Sequence, residues 1–310
     1  MLRERVLELL FEEELTQKEL TSRLNSSRSR VSEVLSLLER KGLIVRRKVG
    51  QRTVVVSINH DRTLRVGILR SSEYAHIVST LHDIEEKIPF RLKIYDNSLE
   101  ALKELMMGNE DIIASPLISG YFFFLIDRNI RPVAGVARGG GGIIKRASRG
   151  KIGTTPLSTM DKESREFSDY RQVYFKSIED ILRAYRKGEI EAAQIWEPFL
   201  SMNGGEKSTS KGMCCCIFSS GKRSKSLSEF LRVYLESVER GLPDDRKMEI
   251  SKLMRDVIGV REEHIMRSMG SYDFTAAVSL KDLEEQISSF GLPAVKGVEN
   301  FIERCPKVPL

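Results

Sequence analysis

Residues 214–216 are three consecutive cysteines in a chain of 310 residues that has only four. Thiols in such a run can ligate a metal, exchange with a disulfide, act as nucleophiles, or pack as small apolar side chains. The trio has no CxxC spacing and no histidine nearby to complete a zinc site, because His60, His76, His82 and His264 all lie far off in sequence. Spacing therefore argues against a metal centre, and a reducing compartment argues against structural disulfides. An extended strand sends alternate residues to opposite faces, so at most Cys214 and Cys216 share one. Packing is the favoured role for Cys214, Cys215 and Cys216.

A second concentration of chemistry is cationic. The chain carries 50 Lys and Arg against 44 Asp and Glu, a net charge of +6, and residues 28–52 alone hold 8 basic against 2 acidic residues. Basic residues gathered into so short a stretch point to a polyanionic partner. Length and a hydrophobic content of 41% allow two or three domains with ample core. The first residues, MLRERVLELLFEEEL, alternate charge with apolar side chains and hold no uninterrupted apolar run of the kind a secretion signal needs. The longest apolar region, Ile112 to Ile126, is broken by Ser, Pro and Gly and is too short to span a bilayer. The expectation is a cytoplasmic chain without a membrane partner.

The basic stretch sits on a readable pattern. Leu2, Val6, Leu9 and Leu10 share one face of a first helix, and Thr16 with Glu19 has the spacing of a capping box that opens a second. A third helix starts near Ser27, buries Val31, Val34, Leu35 and Leu38, and ends at Gly42 in a left-handed cap. Two β-branched runs around Val49-Gly50-Gln51 then predict a hairpin. With the apolar stripe inward, Arg28, Ser29, Ser32, Glu33 and Ser36 face out with side chains suited to base edges in a major groove. Arg46, Arg47, Lys48 and Arg52 flank the hairpin tip and suit phosphates, which add affinity without reading sequence. A solvated face used for protein contact is the alternative. The run TQKELTSRLNSSRSRVSEVLSLLERKGLI resembles the helix-turn-helix and third helix of archaeal and bacterial winged-helix regulators. That resemblance covers residues 1–60 and implies double-stranded DNA as partner.

From Leu64 onward, strand-like and helix-like patterns alternate, which predicts an α/β domain. Ser98–Pro116 and Ser177–Pro198 both run Ser cap, amphipathic helix, Gly stop, short strand, Pro, as two lobes of similar build would. Ser115 and Glu197, each just before its proline, are the candidates for a shared cleft. Three loops offer backbone N–H groups to an anion or a polar ring substituent: Ser71-Ser72-Glu73, Gly139 to Gly142, and Thr154-Thr155. The glycine run, with Gly139 and Gly140 as candidate ligand contacts, matches neither a P-loop nor GxGxxG opening a helix, and a plain hairpin turn is its alternative. Trp196, the only tryptophan, is placed to stack on an aromatic ligand while Glu197 accepts from an amine; core packing is the rival role for the indole.

Residues 64–310 resemble a type 2 periplasmic-binding-protein fold, particularly its nitrate, sulfonate and thiamine-precursor binding branch. The resemblance is carried by LRVGILRSSE, ALKELMMGNEDIIASP, RPVAGVARGGGGIIKR, GKIGTTPLST, ILRAYRKGEIEAAQIWEPF and FLRVYLESVERGL. It implies one lobe over 64–136 and 217–310, a second over 137–216, and a ligand between them. The cysteine run is similar to the Cys-Cys-Cys-Phe-Cys motif of eukaryotic thiamine-pyrimidine synthases, with Ile217 and Phe218 in the last two places. The combined reading is a winged helix (α+β) joined to a two-lobed α/β domain: a ligand-responsive transcriptional regulator that binds DNA as a homodimer and senses a small metabolite, with a thiamine-pyrimidine precursor as candidate. It expects no cofactor and no catalysis. An enzyme of the synthase type and a non-sensing DNA-binding protein are the alternatives.

Overall fold

The computed structural model describes residues 2–50, 53–209, 212–221 and 224–306. The first unit comprises helix α1 (Leu2–Glu12), strand β1 (Leu15–Thr16), α2 (Gln17–Arg23), α3 (Arg28–Arg40) and the hairpin β2 (Ile44–Val49) and β3 (Thr53–Ile58), with β3 central in a three-stranded sheet. Local chemistry sets its boundaries. The Thr16 hydroxyl accepts from the Glu19 N–H while the Glu19 carboxylate accepts from the Thr16 N–H at 2.7 Å, closing the capping box that starts α2. Ser27 caps α3, and Gly42, at φ +70°, turns the chain out of it. The core gathers Val6, Leu10, Leu20, Val31, Leu35, Leu38 and Val56. On α1 the buried face is Val6, Leu7, Leu10 and Phe11, so Leu2 and Leu9 lie at its edge rather than within it.

Two further sheets follow. The chain runs through β4 (Leu64–Leu69), α4 (Ala75–Ile84), β5 (Phe90–Tyr95), α5 (Ser98–Met106), β6 (Ile112–Pro116), α6 (Leu117–Ile126) and β7 (Arg131–Gly139), and then crosses over. The second lobe holds β8 (Gly141–Lys145), β9 (Gly150–Thr154), α7 (Thr159–Ser164), β10 (Tyr170–Tyr174), α8 (Ile178–Lys187), β11 (Ala192–Trp196), α9 (Phe199–Met202) and β12 (Glu206–Lys207). The return path is β13 (Met213–Ser219), α10 (Lys225–Arg240), α11 (Asp244–Ile258), α12 (Glu262–Met269), β14 (Tyr272–Phe274) and α13 (Leu280–Phe290). Strand order is β14-β7-β13-β6-β4-β5 in one sheet and β10-β9-β11-β8-β12 in the other. In each, the two parallel pairings around β4 or β9 are followed by an antiparallel neighbour of β6 or β11. The two copies recognised in sequence, ending in β6 and β11, hold matching places in the two sheets. Asn97, not Ser98, caps the first copy's helix, its side chain accepting from the Glu100 N–H at 2.9 Å. Ser177 caps the second.

Chain exchange between the sheets falls at Gly140 and between Lys207 and Met213, because β7 stays paired to β13 and β14 up to Arg138 and Gly139. These points differ from the expected 136 and 217 by a few residues. β13 is held at its start by Asp282, which accepts from the Met213 N–H at 3.3 Å and is gripped by both Arg138 guanidinium nitrogens at 2.6 and 2.7 Å. The apolar region around Ile112 to Ile126 is β6 and α6, both inside the six-stranded lobe, and no helix among the described residues is long and apolar enough to cross a membrane.

Burial has a measurable consequence at α4, which packs on α10 and α11. His76 is 2% exposed, its Nδ1 is 2.9 Å from the Ser237 hydroxyl, and its ring stands edge-on to Phe274. Loss of hydration lowers its pKa from 6.5 to about 4. The unfolded chain therefore takes up this proton first. The contribution to stability is complete above about pH 6.5 and is lost as pH falls toward 4, by up to about 3 kcal/mol. Urea unfolding at pH 7 and pH 4.5 should show that loss, and His76→Gln, which cannot titrate, should lose less stability between the two pH values than the parent.

Candidate functional site

Two surfaces of different sign carry the functional groups. On the winged helix, α3 turns Val31, Leu35 and Leu38 inward and leaves Arg28, Ser29 and Ser36 exposed and Ser32 half-buried. The Gln17 amide donates to the Arg28 carbonyl at 3.2 Å, fixing the start of α3 against α2. Along β2, Arg46, Arg47 and Lys48 are exposed. Arg46 pairs with Glu39 at 3.1 Å and Arg47 with Glu14. Such exposed pairs are worth at most about 1 kcal/mol each and exchange readily for a phosphate. Arg52 lies outside the described residues.

The second surface is a cleft between the two lobes, with about 530 Å³ of space counting its mouth. The six-stranded lobe contributes Ser71, Glu73, Tyr74, Asp96, Asn97, Ser98, Cys214, Cys215 and Tyr272, and the five-stranded lobe Thr155, Ser158, Thr159, Met160 and Trp196. Three chain turns aim their starts at it. Ser71 caps the 3-10 turn at Ser72–Tyr74, Asn97 caps α5 and Ser158 caps α7. The lobes are joined across the cleft. The Trp196 indole N–H donates to the Arg70 carbonyl at 2.7 Å, the Ser71 hydroxyl and Ser72 N–H meet the Glu197 carbonyl at 3.2 and 3.4 Å, Arg70 pairs with Glu179, and the Ser119 hydroxyl donates to the Leu157 carbonyl at 2.5 Å.

Of the residues expected to meet a ligand, Ser71, Glu73, Gly139, Thr155 and Trp196 line this cleft, while Ser72, Ser115, Gly140, Thr154 and Glu197 do not. Ser115 and Thr154 are wholly buried within their strands. Glu197 is 1% exposed and uses its carboxylate on the Ser201 N–H and the Ser271 hydroxyl, both at 3.1 Å. Ser115 thus belongs to the body of β6 and Glu197 to the buried turn just after β11, and the cleft wall is made one position away, by Pro116 and Trp196. Sequence reading did not place Asp96, Asn97, Ser158, Thr159 or Tyr272 here. The Ser and Asn helix caps were a usable signal, because helix starts at strand ends converge on the cleft in such sheets.

The cysteine strand departs from the expected alternation. Pairing of β13 with β7 shifts register at Met213/Cys215 and again at Cys215/Cys216. Those bulges place Cys214 and Cys215 together on the cleft side, sulfurs 3.6 Å apart, and leave Cys216 on the far side against the cluster of Tyr121, Phe218 and Phe301. Glu73, 3% exposed, lies with the paired thiols, and its Oε1 has no hydrogen-bond partner among the described residues. Burial pushes its carboxyl up to about 7, the Cys215 and Cys214 thiols pulling weakly the other way. Burial also holds the Cys215 thiol well above its ordinary range. Among the described residues no lysine or arginine lines the cleft, and its acidic groups are Glu73 and Asp96.

A three-helix unit with a two-stranded wing and an exposed basic face is the geometry of a DNA-binding regulator domain. Residues 5–52 match the MarR family model. The MarR-family winged helix is followed by an α/β domain whose mixed sheets have the periplasmic-binding-protein fold. The chain is similar to the ligand-binding component of an ABC-type import system from Staphylococcus aureus with zinc bound (TM-score 0.62, 12% identity, 79% of this chain and 94% of that one). It is similar to the periplasmic aliphatic sulphonate binding protein SsuA from Escherichia coli (TM-score 0.59, 13% identity, 80% and 94%). It is also similar to a conserved Candida albicans protein described as having the generic periplasmic binding protein fold (TM-score 0.59, 11% identity, 78% and 95%). At these identities the likeness shows the fold. No curated protein sequence matches the chain.

Behind the cleft residue Tyr272, Gly140 tolerates no added atom, since φ is +75° and a Cβ would stand 1.9 Å from the Tyr272 ring. Tyr272 lies 2.9 Å from Ser71 and donates to the Glu197 carbonyl at 3.2 Å. Gly140→Ala should therefore lower the thermal midpoint well beyond Gly50→Ala, which shares the positive φ but meets open space. Equal shifts in the two variants would remove Tyr272 from this role.

Proposed function

We propose that the protein is a one-component, ligand-responsive transcriptional regulator. The MarR-family winged helix binds operator DNA, with Arg28, Ser29, Ser32 and Ser36 toward the bases and Arg46, Arg47, Lys48 and Arg52 toward phosphates, and the two-lobed domain binds a small effector. The observation that carries this reading is the attachment of a basic DNA-binding face to a cleft of opposite sign. The winged helix is fastened to the six-stranded lobe by Arg91, which reaches the Glu12 carboxylate at 3.0 Å and the buried Glu110 at 2.6 Å. Ser226 adds to this by donating to the Thr63 carbonyl at 2.8 Å in the connecting segment. Arg91 sits on β5, the strand that leads directly into the cleft residues Asp96, Asn97 and Ser98. A ligand that prefers one lobe arrangement shifts its population, and β5 is the rigid element that carries the change to α1. Operator binding as a homodimer, inside the cell, belongs to the same reading; one chain per DNA in light scattering would remove the dimer.

The cleft favours a neutral or cationic effector with N–H donors. The E. coli relative is an aliphatic sulphonate binding protein, whereas here carboxyl groups and no arginine or lysine among the described residues face the ligand. A pyrimidine carrying an exocyclic amine, of the thiamine-precursor type, fits that polarity, with Trp196 and Tyr272 supplying aromatic surface. Binding without turnover is the primary function in this reading. The alternative of thiamine-pyrimidine synthesis is favoured by one observation, the presence of Cys214 and Cys215 in the cleft, and product formation by the purified protein would establish it.

Arg28→Ala should weaken operator binding and relax its specificity, whereas Arg47→Ala should weaken binding to all sequences and lower the salt slope by about one unit. Fluorescence anisotropy on operator and random DNA separates the two; equal losses on both for Arg28→Ala would contradict its base-reading role. Thermal unfolding should shift by several degrees with hydroxymethylpyrimidine at about 100 times its dissociation constant, a stabilisation of about 2.7 kcal/mol. Alkanesulfonates at the same concentration should leave the midpoint unmoved, and a shift with them alone would reverse the assigned polarity.

A further inference from the structure

The bulges in β13 do more than break the strand's alternation. They bring two adjacent thiols to one face, where a third ligand, Glu73, arrives from far earlier in the chain. One donor atom each from Glu73, Cys214 and Cys215 lies within 4.8 Å of the other two, and all three residues line the cleft. Sequence spacing argued against a metal because it searched near the cysteines; the fold supplies a carboxylate in place of the missing histidine. The sulfurs stand 3.6 Å apart. Two thiolates at the corners of a zinc tetrahedron, with Zn–S of about 2.3 Å, are about 3.8 Å apart. The pair is therefore spaced for one ion without rearrangement of β13.

The surroundings are those of a ligand set. Thr159 donates its hydroxyl to the Cys214 sulfur at 3.5 Å, and the Tyr74 hydroxyl lies 3.4 Å from the Cys215 sulfur, so each thiolate has an O–H group to support its charge. Glu73 Oε1 is buried and no contact among the described residues meets hydrogen-bond geometry with it, so that oxygen is available to a cation. No lysine or arginine among the described lining residues supplies a positive charge there. Cys216, on the opposite face, takes no part.

We propose that Glu73, Cys214 and Cys215 bind a thiophilic divalent cation of the zinc class, as two sulfurs and one oxygen with a fourth position open to the cleft. Binding displaces both thiol protons, and the proton on Glu73 where it is present, to solvent and leaves the ion held by two thiolates and a carboxylate. This goes beyond the regulatory reading, because the site stands whether or not DNA binding responds to the metal.

The test is cobalt substitution in the full-length, reduced, chelator-treated protein. The expected result is one equivalent of Co²⁺ giving a thiolate-to-cobalt charge-transfer band with intense tetrahedral ligand-field bands, all bleached by Zn²⁺. C214S and C215S should each abolish the charge-transfer intensity or cut it sharply, E73Q should weaken cobalt affinity by about tenfold or more, and C216S should leave spectrum and affinity as in the parent. Circular dichroism on the same samples reports folding. Where a serine variant does not fold, E73Q decides, since it keeps the shape and removes only the charge. No charge-transfer band in the parent, unchanged affinity in folded E73Q, or an equal loss in C216S would each overturn the assignment. Anisotropy on operator DNA with and without Zn²⁺ then tells separately whether the metal acts on DNA binding.

Discussion

Most of this molecule depends on where one strand is allowed to lie. β13 leaves the five-stranded lobe and inserts antiparallel between β6 and β7 of the other, so its backbone hydrogen bonds are satisfied only with both of those strands in place. Insertion at the centre of a sheet buries every side chain of Met213–Ser219. The bulges that accommodate β7 then decide which of those side chains face the cleft. Asp282 and Arg138 pin the strand's first residue, and Gln286 donates to the Met213 carbonyl at 2.6 Å, so α13 locks the register from outside.

The cleft that results is narrow and its two walls are already in contact. Interlobe hydrogen bonds from Trp196, Ser71, Ser72, Tyr272 and Ser119 use backbone carbonyls as acceptors, at Arg70, Glu197 and Leu157, and they leave the carboxyl groups of Glu73 and Asp96 free of these contacts. The helix starts at Ser72, Ser98 and Thr159 point partial positive charge inward, toward a lining that also holds the carboxyl groups of Glu73 and Asp96. Fold and chemistry therefore separate here. The same two-lobed fold is found in an alkanesulfonate-binding protein, while the lining of this cleft holds Glu73 and Asp96 and, among the described residues, no lysine or arginine.

Attachment of the winged helix follows a similar economy. Arg91 spans an exposed carboxylate on α1 and a buried one at Glu110, whose other partner is the Tyr95 hydroxyl at 2.7 Å. A buried carboxylate holds its partner far more firmly than an exposed one, so Arg91 stays with β5 and the Glu12 contact is the part free to break. Arg91 also reaches the Phe11 carbonyl of α1 at 3.5 Å, and in the proposed reading this contact between lobe and winged helix is the joint that passes a change in the lobes on.

What the sequence determined by itself were the features encoded within a few residues. The Thr16–Glu19 box, the Ser27 cap, the Gly42 stop and the Gly50 turn each satisfy or break local backbone hydrogen bonds, and so the winged helix was legible almost to its ends. Periodicity likewise showed two βα units of one design, ending in β6 and β11. Only the tertiary structure decided which side chains share a space. Ser115 and Glu197 looked equivalent to cleft residues, yet β13 covers the first and contacts with Ser201 and Ser271 bury the second. Cys214 and Cys215 looked opposed, yet pairing irregularities with β7 turn them to one side. Glu73 meets them from far away in the chain. Bulges and long-range pairings arise from the fit of one strand against two others, and no property of the seven residues in β13 specifies that fit.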